Sequence, residues 1–88
     1  MVAYDLREPN SPGDYQRIIG AVKAYGSWAH FEQSVWLIQA EAEAQAIRDY
    51  LRGFLRPTDI LFVAKLSGNW GGFNIGDERA KWLMERRF

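Results

Sequence analysis

One helical stripe occurs twice in this chain, and each copy is bracketed by short apolar runs that read as strand. Tyr15, Ile18, Ile19 and Val22 fall at i, i+3, i+4 and i+7, the spacing of one buried helix face. Ile47, Tyr50, Leu51, Phe54 and Leu55 repeat the pattern at i, i+3, i+4, i+7 and i+8. The first stripe carries clear end signals. Ser11 is a predicted N-cap, Pro12 suits the first helical position, and Asp14 falls where a carboxylate reaches back to the cap. Gly26 suits the left-handed residue that closes a helix. The second helix is predicted over Glu41–Leu55. Its two leading glutamates and its trailing Arg52 and Arg56 suit the helix dipole. It lacks a side-chain N-cap, and Pro57-Thr58-Asp59 stops it.

The intervening runs supply the strands. Val2–Leu6 is a short apolar run. Trp28–Phe31 reads as a short edge strand, and Glu32-Gln33-Ser34 as a tight hairpin or a bulge. Val35–Gln39 reads as the longer, more buried partner. Asp59–Leu66 is apolar on both faces, which predicts a central strand. The order is β-α-β-β-α-β, the ferredoxin-like split βαβ pattern. The expected fold is therefore α+β: a four-stranded antiparallel sheet with two helices on one face. The chain reads as one domain over 1–88, a core over 1–66 and a C-terminal extension over 67–88. That extension holds a glycine-rich turn with a short returning strand, then a helix over Glu78–Arg87 capped by Asp77. The second sheet face would lie open unless a partner or the C-terminal segment covers it. An open apolar face predicts an interaction surface, and a two-fold homodimer is the simplest occupant.

Composition removes several chemistries. None of the 88 residues is cysteine, so disulfides, thiolate metal sites and thiol nucleophiles are excluded. No signal peptide or membrane span is apparent, which leads us to expect a cytoplasmic protein with no membrane partner. Eleven Lys and Arg balance eleven Asp and Glu. That balance argues against strong non-specific nucleic-acid binding, which shows as excess positive charge. Ser11, Ser27, Ser34 and Ser67 all lack a nucleophile-elbow context.

Four features could carry chemistry. Asp5 ends the first strand and shares a face with Ala3. It would serve as a metal-ligating carboxylate paired with its symmetry mate, or it would pair with Arg7 or loop amides. Magnesium uses one or two carboxylates with waters and phosphate oxygens. Arg48, Arg52 and Arg56 at i, i+4 and i+8 form a stripe that drifts by about 40° per step. It reads as a phosphate-tracking ridge, or as a solvated face neutralised by Glu41 or Asp49. His30, the sole histidine, would share a proton with Glu32, or act in packing and hydrogen bonding. Trp70, within Gly68-Asn69-Trp70-Gly71-Gly72, would stack on a base or a partner, or fold back over the sheet edge. Those glycines do not form a phosphate-binding loop, since no GK[ST] follows.

Ordered motifs along the chain resemble a known group. Tyr4-Asp5-Leu6 lies in the first strand, Lys23-Ala24-Tyr25-Gly26 ends the first helix, Gln33-Ser34-Val35-Trp36 follows, and Asp59-Ile60-Leu61-Phe62-Val63 comes after the second helix. In that order they are similar to the small CRISPR-associated Cas-two proteins and their VapD-like relatives. The chain resembles most a group of short bacterial SinR-family, Cas-two-like proteins, with Asp14-Tyr15, Trp28, His30, Ile47-Arg48-Asp49, Leu66, Gly68 and Trp82-Leu83 adding to the match. The resemblance implies a ferredoxin-like homodimer. It implies a strand-end aspartate, here Asp5, as the metal ligand in phosphodiester cleavage; we expect Mg²⁺ or Mn²⁺ there and RNA or DNA as substrate, with Arg7, Arg48, Arg52 and Arg56 positioning phosphates. The competing expectation is a non-catalytic binding or assembly module, in which the dimer face and the Trp70 loop engage a toxin–antitoxin or regulatory partner. Two departures stand out. Ser11-Pro12-Gly13-Asp14 replaces the arginine-rich start of the first helix, and Asp77–Arg87 is helix-like where Cas-two proteins carry a strand that crosses to the partner.

Overall fold

Ser11 opens the first helix as its sequence predicts: the Asp14 carboxylate accepts the Ser11 backbone N–H at 2.9 Å, and Pro12 takes the first helical position. The computed structural model describes residues 1–86. Its elements are β1 (Val2–Asp5), α1 (Pro12–Lys23), β2 (Trp28–Glu32), β3 (Val35–Ile38), α2 (Ala44–Leu51), β4 (Ile60–Val63) and α3 (Asp77–Met84). The fold is α+β, with one four-stranded sheet in the order β2-β3-β1-β4. All three strand pairings are antiparallel.

Alternation along β1 divides the two sheet faces. Val2, Tyr4 and Leu6 are buried with Ile18, Ala21 and Val22 of α1, Ile47 and Leu51 of α2, and Trp36 of β3. This is the main core. Trp36 is its largest fully buried side chain, and its indole N–H donates to the Tyr4 hydroxyl at 3.1 Å. A buried indole without that acceptor would cost about 1–3 kcal/mol.

The opposite face is half covered. Ala29 and Leu37, register partners in β2 and β3, are buried against Leu83 of α3, with Phe31, Leu66, Ile75 and Trp82 around them. The C-terminal segment thus covers the β2–β3 half. Among the described residues no helix lies over the β1–β4 half of that face, and Asp5, Ile60 and Phe62 are exposed there.

Several expectations are corrected. β4 is an edge strand, not a central one. Its apolar character on both faces has two sources: Leu61 and Val63 pack on the main core, while Ile60 and Phe62 lie on the uncovered face at 45% and 57% exposure. The second helix begins at Ala44, three residues after Glu41, because its cap residue Glu43 makes no side-chain capping bond. Its last turn tightens to a 3₁₀ turn over Arg52–Phe54, where Gly53 weakens the α-helix. No strand forms over residues 67–76. Gly68, Gly71 and Gly72 offer no side chains to pack there. Gly76, at φ +85°, caps α3 in place of Asp77, and the helix closes at Met84. Arg87, the expected end of that helix, lies outside the described residues. At the β2–β3 turn both alternatives hold: Gln33-Ser34 makes the tight turn, and the register slips between His30 and Glu32 as a β-bulge.

Candidate functional site

Asp5 sits at the last position of β1, directly opposite Ile60 of β4. Alternation points it away from the helices and onto the uncovered half-face. The side chain is exposed. In-register neighbours on that face are Ala3, Phe62 and Ile60, none of which offers a ligand atom. Among the described residues no three His, Cys, Asp or Glu side chains cluster to hold a metal. A divalent cation of the Mg²⁺ or Mn²⁺ class needs several oxygen ligands. One copy of this chain presents a single carboxylate there, so a second carboxylate, or waters and a phosphate, would have to complete the shell.

The end of β1 is fixed by a latch that the sequence reading did not identify. Asp59, which the sequence places between a helix stop and a strand start, has a side chain just 1% exposed. Its carboxylate accepts the backbone N–H of Arg7 at 2.9 Å and that of Arg56 at 2.9 Å. Arg56 Nη2 closes the turn on the same carboxylate at 3.1 Å. These donors, with the Arg56 side chain foremost, hold the Asp59 carboxyl down at about 2. Arg56 also donates to the backbone carbonyls of Arg7 and Pro9. It thereby ties the β1–α1 loop to the α2–β4 turn. Its guanidinium is raised further above its ordinary value, chiefly by the Asp59 hydrogen bond. The i, i+3 spacing of Arg56 and Asp59 around Pro57 was the available signal.

The arginine stripe therefore separates into different roles. Arg56 is consumed by the latch. Arg48 bonds its own neighbour Asp49, at 3.0 Å on the exposed face, a pair of the solvated kind. Arg52 lies exposed on the 3₁₀ turn, and Arg7 is exposed beyond β1.

His30 does not pair with Glu32. Its ring stacks on Trp36 with centroids 3.8 Å apart and planes 5° from parallel, and Nε2 lies 3.4 Å from the Gln33 carbonyl oxygen. Trp28 meets Trp36 edge-on at 5.3 Å, and the Lys23 ammonium lies 4.9 Å from the Trp28 ring centroid. This aromatic group closes the β2 end of the main core, the packing role rather than the proton-sharing one. Trp70 lies exposed in the loop between β4 and α3, with Phe73 more exposed still.

Two arginines carry structural roles the sequence did not announce. Arg79 of α3 donates to the His30 carbonyl on the outer edge of β2 at 2.8 Å, and its guanidinium lies 5.8 Å from the Phe31 ring centroid. Arg86 donates to Ser27 Oγ at 2.6 Å, to Gln39 Oε1 at 3.0 Å and to the Trp82 carbonyl at 2.7 Å. It also stacks 3.8 Å from the Trp82 ring centroid.

Among the described residues no helix is long and apolar enough to cross a membrane. No protein-family model, curated protein or solved structure matches the chain.

Proposed function

We propose that this chain is a ferredoxin-like homodimeric assembly module of the cytoplasm, non-catalytic, with the uncovered β1–β4 half of its sheet as its working surface. The order β-α-β-β-α-β on a β2-β3-β1-β4 sheet supports the ferredoxin-like reading. One observation carries the function: Ile60 and Phe62 stand exposed on the half-face of the sheet that no helix covers among the described residues. Large apolar side chains in such a strip mark an interaction surface. The equal count of acidic and basic residues fits a protein partner better than a polyanion. A regulatory or toxin–antitoxin partner would then meet the dimer through the exposed Trp70 and Phe73 loop.

Exposure of Asp5 on that same half-face favours a second reading, a metal-dependent endonuclease of RNA or DNA. In it, Asp5 of each copy would hold Mg²⁺ or Mn²⁺, with Arg7 nearby to meet phosphate. One experiment separates the two. Single-stranded and duplex RNA and DNA are incubated with the wild type and with Asp5→Asn, under Mg²⁺ and Mn²⁺ titration. The assembly reading expects no cleavage by either protein. Metal-dependent cleavage by the wild type that Asp5→Asn abolishes would overturn it.

A further inference from the structure

The two edges of this sheet are treated differently. At the β2 edge, Arg79 donates to the His30 carbonyl and α3 packs alongside. A side chain that occupies edge carbonyls blocks pairing with another strand. At the β4 edge, no described residue hydrogen-bonds the outward backbone groups of Leu61 or Val63.

Parity along β1 and β4 identifies those outward groups. Met1 and Ala64 exchange both bonds of a narrow pair, Ala64 N–H to the Met1 carbonyl at 3.0 Å and Met1 N–H to the Ala64 carbonyl at 2.6 Å. Hydrogen-bonded pairs alternate along an antiparallel ladder. Phe62 and Ile60, opposite Ala3 and Asp5, therefore also direct their N–H and C=O inward to β1. Leu61 and Val63 direct theirs outward. The β4 edge thus offers two donors and two acceptors, and the exposed side chains flanking them are apolar.

We infer that β4 pairs antiparallel with β4 of a second copy, about a two-fold axis at Phe62, joining two four-stranded sheets into one. This inference rests on the assembly reading above and specifies its interface. Only a register centred on Phe62 pairs Leu61 with Val63 of the partner and the reverse, which satisfies all the outward groups within the strand. Shifting the centre to Leu61 would pair Val63 with Asp59, whose N–H is already donated to the Arg56 carbonyl. In the Phe62 register each Ile60 faces Ala64 of the other copy, and the two Phe62 rings face each other at a wide pair, with Cα atoms about 4.5 Å apart. The exposed strip becomes self-complementary, as a two-fold interface requires. The two Asp5 side chains end about 20 Å apart, three strand spacings across and four residues along. They cannot share a metal ion in this dimer.

The absence of native cysteine makes the test direct. Phe62→Cys under mild oxidation should give a covalent dimer, since the Cα separation lies in the disulfide range. Ile60→Cys should give none, because in this register its mate lies four residues away. Sedimentation should show a wild-type dimer, and Phe62→Lys should weaken it at least about 100-fold, by removing two Phe rings from the interface and setting like charges opposite each other. Phe62 is exposed, so circular dichroism of Phe62→Lys should match the wild type. A dimer that survives Phe62→Lys, or cross-linking of Ile60→Cys in place of Phe62→Cys, overturns this interface and leaves the assembly reading standing. A wild type monomeric at about 1 mM overturns both. Nucleic-acid cleavage lost in Asp5→Asn overturns the assembly reading whatever the interface.

Discussion

Arg56 and Asp59 hold each other across three residues, Nη2 to Oδ1 at 3.1 Å, and together they hold the end of β1. The carboxylate accepts four hydrogen bonds, so replacing it leaves inward-facing donors without a partner. Asp59→Asn should lose about 1–3 kcal/mol at neutral pH. The pH dependence has a definite sign. The Asp59 carboxyl falls from 3.8 to about 2 on folding. The unfolded chain therefore binds the proton first as pH falls. The stabilisation is complete above about pH 5 and is lost as pH drops through 4 towards 2. Urea denaturation of wild type and Asp59→Asn between pH 2 and 7 should show the gap between them closing in that window.

The three helix arginines should separate by mutation. Arg56→Lys keeps the charge but loses the planar fork that reaches Asp59 and two carbonyls at once. We expect a loss of about 1–3 kcal/mol. Arg48→Ala removes an exposed pair and should change stability by less than about 0.5 kcal/mol. Chemical denaturation of both variants checks this, and equal losses would contradict the latch.

Sequence patterning foretold much of this architecture because burial writes a period into the chain. Tyr15, Ile18, Ile19 and Val22 belong to α1, and Ser11, Pro12 and Asp14 start it as their chemistry requires. The misreading of β4 has a physical cause. Apolar residues on both faces signal burial on both faces, unless one face is reserved for contact with another molecule. Ile60 and Phe62 give the same pattern in either case. Asp59 escaped notice as a latch because two of its four hydrogen bonds come from backbone N–H groups, and backbone carries no sequence signal. The role of Arg79 was hidden for a related reason: it binds the carbonyl of His30, 49 residues away in sequence. Asp5 was placed correctly at the strand end, but its apolar surroundings depend on the β1–β4 register, which local patterning does not give.

Tyr4 and Trp36 should behave as a unit. Tyr4→Phe leaves the Trp36 indole N–H without its acceptor inside the main core, and should cost about 1–3 kcal/mol. Burial, with a smaller opposing effect from the Trp36 bond, raises the Tyr4 phenol above its ordinary value of 10.0. The unfolded chain then loses the proton first, so wild-type stability should fall as pH rises past about 10. Tyr4→Phe should lack that component of the decline. Fluorescence-detected urea melts at pH 8 and pH 11 measure both effects.

Arg79 should be the residue that keeps the β2 edge from pairing. Arg79→Met preserves an apolar stem over Phe31 but gives up the bond to the His30 carbonyl. The direct cost in stability should be small, about 1 kcal/mol. The larger consequence is an edge carbonyl opened to strand pairing next to the exposed Trp28. In a Phe62→Lys background, where the β4 edge carries its own charge, Arg79→Met should restore concentration-dependent self-association that Phe62→Lys alone does not show. Light scattering over a concentration series measures this directly. An Arg79→Met, Phe62→Lys double variant that stays monomeric would mean that α3 alone shields β2, with Arg79 serving only to anchor the helix.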